Sequence, residues 1–88
     1  MNGWRDDLSV TEQRILGALT AGDYPAADLA ITLEGELQDA IAAQRRTARL
    51  VTLLTRLLER GYVAHEGTPP GVWTATDLGR AAVVGWAA

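Results

Sequence analysis

The sequence predicts a small, mainly α-helical domain that ends in a two-stranded β-hairpin and one last helix. Three observations predict it. Apolar residues recur at helical spacing from Val10 to Leu58. Two short β-prone runs, 62–65 and 72–75, flank the turn EGTPPG at 66–71, whose prolines cannot donate to a ladder. Thr76 and Asp77 then open an Ala- and Val-rich run with an N-cap and a first-turn acid. The 88 residues suffice for one core and not two. Residues 1–88 therefore read as one domain: an N-terminal arm at 1–8, a helical part at 9–61, the hairpin at 62–75 and a C-terminal helix at 76–88.

Each element has its own signal. Ser9 and Glu12 have the spacing of a capping box. Val10, Ile15, Leu16 and Leu19 follow, which predicts a helix over 10–21 stopped by a left-handed Gly22. Pro25 suits the first position of the next helix. Its stripe of Ala26, Ala30, Leu33, Leu37 and Ile41 fits one helix to about residue 43, or two pieces broken at Gly35. Residues 46–60 form the third helix, ended by Gly61. In the last helix Ala81, Ala82, Val83, Val84 and Trp86 spread over more than one side. Trp4, Val83 and Trp86 are therefore expected at a subunit contact.

Charge divides the chain sharply. Residues 45–60 carry five Arg and one Glu, a net +4, while the remainder carries three Arg and ten acids, a net −7. On a helix at about 100° per residue, Arg45, Arg49, Thr52, Arg56 and Arg60 gather opposite Leu50, Val51, Leu54, Leu57 and Leu58. The acidic balance, with a pI near 4.9, speaks against an indiscriminate nucleic-acid binder. It leaves room for one positive face. No apolar run approaches the ~18 residues that span a bilayer, and no secretory signal pattern opens the chain. A cytoplasmic protein without membrane contact is expected.

Catalytic and metal chemistry have little to stand on. There is no Cys, Ser9 is the only serine and His65 the only histidine. No glycine-rich phosphate loop and no metal-ligand spacing is present. The expectation is a non-enzyme without cofactor or metal.

The segments LxxLLxRGYV at 54–63 and GVWTATDLGRAA at 71–82 resemble the entry to and exit from the wing of prokaryotic winged helix-turn-helix regulators of the MarR, PadR and phage-repressor kinds. The resemblance covers about 11–83 and does not select a family within the superfamily. It implies a sequence-specific transcriptional regulator, a repressor type, that binds double-stranded DNA as a homodimer. The third helix would enter the major groove, placing Arg45, Arg46, Thr47, Arg49, Thr52 and Arg56 at bases or phosphates. Thr68 and Gly71 would form the wing tip. The chain departs from the pattern in length between residue 29 and Gly61. Either Gly35 belongs to the turn, or helix two is long and the turn lies at 44–47; the apolar stripe through Ile41 favours the second. The alternative function is an acidic winged-helix module that binds a protein partner and no DNA.

Overall fold

A computed structural model describes residues 8–68 and 70–87, with side chains through Val83. Among these, the chain forms four helices and a two-stranded antiparallel hairpin. Helix α1 is Val10–Ala21, α2 is Ala26–Glu34 and α3 is Ala40–Glu59. Strands β1, Val63–Glu66, and β2, Val72–Ala75, precede α4, Asp77–Ala87.

The capping box at α1 forms as expected: Glu12 N–H donates to Ser9 Oγ at 3.1 Å and Ser9 N–H to Glu12 Oε1 at 3.0 Å. Ile15, Leu16 and Leu19 enter the core, but Val10, in the first turn, stays 73 % exposed. Gly22 is extended (φ −176°, ψ 173°) and not left-handed as expected. The chain must run straight here, because Tyr24 joins the hairpin as an isolated third rung. Its N–H donates to the Trp73 carbonyl at 3.1 Å, and Trp73 N–H donates back at 2.8 Å.

The long second helix does not form. Helix α2 stops at Glu34, Gly35 takes φ +84°, a region L side chains rarely adopt, and the chain turns through 35–39. Asp39 then caps α3, its Oδ1 accepting from Ile41 N–H at 2.9 Å and Ala42 N–H at 3.2 Å. The turn thus lies at Gly35, and residues 44–47 are helical. Two arginines hold the carbonyl end of α2, where cations are favoured. Arg14 donates to the Leu33 carbonyl at 2.7 Å and Arg46 to the Gly35 carbonyl at 2.6 Å.

Helix α3 buries Leu50, Leu54 and Leu57; Val51 and Leu58, expected on that face, are 36 % and 41 % exposed. The helix ends in a Schellman motif, with Tyr62 N–H donating to the Leu57 carbonyl and Gly61 N–H to that of Leu58. β1 and β2 pair with Val63 opposite Ala75 and His65 opposite Trp73. Thr76 caps α4, accepting from Gly79 N–H at 3.1 Å, and its hydroxyl donates to the Gly61 carbonyl at 2.6 Å. The core joins Leu8, α1, Leu29 and Ala30, α3, Tyr62, Val63, Trp73, Ala75 and Ala82.

Candidate nucleic-acid interface

Helix α3 sets the geometry. Its inward face is fixed by Leu50, Leu54 and Leu57, so residues some 180° around the helix point to solvent. Arg45, Arg49, Thr52 and Arg56 are all exposed. At about 100° per residue they fall within ~60° of one another and span ~16 Å along the axis. Thr52 donates its hydroxyl to the Ala48 carbonyl at 3.2 Å. Among the described residues, no carboxylate lies within ion-pair distance of Arg45, Arg49 or Arg56. Arg56 does share a shallow recess with Glu12, Glu59 and Arg60, so the barest positive surface is at Arg45 and Arg49. Arg60 leans over the Tyr62 ring, 5.4 Å from its centroid.

Two of the six residues nominated on this helix turn away from that surface. Arg46 is buried, its side chain 9 % exposed, with Nη2 on the Gly35 carbonyl and Nε 3.9 Å from Glu34 Oε2. It lies on the same side as Leu50 and Leu57, and the α2 carbonyl end and Glu34 take up its charge. Thr47 is half-buried and lines a groove against α2. With α3 starting at Ala40, the outward residues of its first turns are Ile41, Gln44 and Ala48, which the sequence reading missed. Their signal was the pairing of Gly35 with an Asp39 N-cap.

The hairpin offers little positive charge. Thr68 is exposed at its tip beside Glu66. Gly71 closes the loop at φ +59°, where a β-carbon would stand 2.5 Å from the Glu66 carbonyl oxygen. His65 donates from Nε2 to the Pro70 carbonyl at 2.9 Å and stacks on Trp73 with ring centroids 4.5 Å apart. Its ring is thus engaged in holding the loop.

On α4, Ala82 enters the core and Val83 packs beside it, half-buried. Leu78, 54 % exposed, and Ala81 face out and form with Tyr62 an apolar groove of about 300 Å³. Trp4 and the Trp86 side chain lie outside the described residues. Among the described residues no helix is long and apolar enough to cross a membrane. No protein-family model, curated protein or solved structure matches this chain. Chemically, the exposed face of α3 can do one thing well: a guanidinium fork binds a phosphate or a guanine edge through two parallel hydrogen bonds.

Proposed function

We propose that this chain is a winged-helix DNA-binding regulator that docks α3 in the major groove of duplex DNA. The observation that carries the reading is the pair Arg45 and Arg49. They stand one turn apart, exposed and, among the described residues, without acidic partners, on a molecule whose net charge is −3. Like charges at this spacing repel by a few tenths of a kcal/mol, and an anion placed between them relieves that repulsion. The element order supports the winged-helix assignment, as does the Tyr24 rung that extends the hairpin. A helix of ~10–12 Å diameter fits the major groove of B-DNA. Arg45, Arg49 and Thr52 contact bases or flanking phosphates, Arg56 a phosphate further along. Arg46 and Thr47 hold the helix in place.

With about two to three phosphates neutralised, the logarithm of affinity falls with the logarithm of salt at a slope of about −2 to −3. Selection from a random duplex pool at two salt concentrations tests the proposal. An enriched site bound ~1–3 kcal/mol more weakly by Arg49→Ala is the expected result. No enrichment, or equal affinity of variant and parent, removes DNA binding from this helix.

A further inference from the structure

A second charged surface lies beside the arginines. From residue 21 to 44 the chain has five carboxylates and no Arg, Lys or His. Asp23, Asp28, Glu34, Glu36 and Asp39 are all exposed. Between α2, the 35–39 turn and the start of α3 runs a groove of about 520 Å³. Ala27, Ile31, Leu37 and Ala43 line it, with Glu36 among them. Ile31 and Leu37 remain 40 % and 43 % exposed there, and Ile41 beyond them 62 %.

Arg46 also lines this groove. Its side chain is 9 % exposed, and its Nε has no hydrogen-bond partner. Its charge is met within the fold, by the Gly35 carbonyl at Nη2 and by Glu34 Oε2, 3.9 Å from Nε. Glu36 lines the groove and disfavours an acidic occupant.

We propose that this groove docks a protein segment that places an apolar side chain against Ile31 and Leu37, flanked by Arg or Lys that meet the acidic rim. Charge complementarity selects the occupant: Glu36 lines the groove, the stretch 21–44 around it carries five exposed carboxylates and no base, and the charge of Arg46 is met within the fold, so the surface attracts a basic segment and repels nucleic acid. The groove borders the outward face of α3 at Gln44, and the proposal does not depend on DNA binding.

The probe is a synthetic amphipathic helical peptide with leucines on one face flanked by arginines. It is titrated into the full chain at low salt, and backbone amide shifts are followed by NMR. Shifts centred on Ala27, Ile31, Leu37 and Ala43 are expected. Leu37→Ser, at an exposed site, lowers affinity roughly tenfold, and Arg49→Ala leaves it unchanged. Glu36→Lys weakens binding in a salt-dependent way. Equal binding of a peptide with Glu for Arg, or with Ser for Leu, overturns the proposal. So do shifts confined to the arginine face, or none at the highest soluble peptide concentration. Concentration-dependent shifts of the same amides without peptide assign the groove to a second copy of this chain and overturn it equally.

Discussion

Two arginines three residues apart on α3 do opposite work. Arg46 closes the carbonyl end of α2, while Arg49, less than one turn on, is exposed with no acidic partner among the described residues. Arg46→Ala removes a charged hydrogen bond and the packing of its stem, and should destabilise the fold by ~1.5–3 kcal/mol in urea unfolding. Arg49→Ala should stay within ~0.5 kcal/mol of the parent in the same measurement. Equal effects of the two would mean that the inward and outward sides of α3 have been exchanged. Leu54 is fully buried, and Leu54→Ala should cost about 2–5 kcal/mol through lost transfer energy and a cavity. The burial of Leu54 and Leu57 was legible from spacing alone. Arg46 was legible too, since it projects within ~40° of Leu50 and Leu57. Its charge, and the like-charged residues on either side, drew it to the wrong face. Val10 and Leu58 show the converse: the helical stripe includes them, but they remain 73 % and 41 % exposed.

At the scale of elements, the decisive feature is the turn from Gly35 to the Asp39 cap. The apolar stripe of α2 appeared to run on through Leu37 and Ile41. Both are exposed, and what they share is the groove and its rim, not the core. Periodicity sees apolar residues and not what covers them, so a continuous helix and a helix-turn-helix look alike there. The Gly35 backbone decides between them. A β-carbon at Gly35 meets nothing within 4 Å, so Gly35→Ala is opposed by backbone strain alone and should cost about 1 kcal/mol. Asp39→Ala should cost a similar ~1 kcal/mol through the lost cap, and should raise amide exchange in the first turn of α3. Unchanged exchange at Ile41 and Ala42 would sink the cap's role. The capping box at Ser9 and the N-cap at Thr76 were readable because they are local; the Tyr24 rung was not, because its partner Trp73 lies far along the chain.

For the whole molecule, the prediction concerns assembly through the outer face of α4. Leu78 and Ala81 are exposed beside Tyr62, and a two-fold pairing of this strip would bury it on both copies. Such a dimer would set two α3 helices toward successive major grooves, ~34 Å apart. Light scattering should give the mass of two chains, and Leu78→Glu should return it to one. A parent already of single-chain mass excludes this dimer. The order of elements was legible, because each boundary carries its own punctuation; the surfaces were not, because exposure is set by distant neighbours. One contact reaches beyond the folded state. Helix α1 packs along α4, and a β-carbon at Gly79 would collide with the Tyr62 carbonyl and crowd Leu16. Among the described residues, the first helix is therefore covered by the last. During synthesis the side of Leu16 that faces Gly79 lacks its cover until α4 has left the ribosome, and the loop to be closed is nearly the entire domain. The rest of the molecule can nucleate locally, yet its final closure is set by this long-range step. A chain interrupted after the hairpin would present an apolar seam to whatever holds nascent polypeptides.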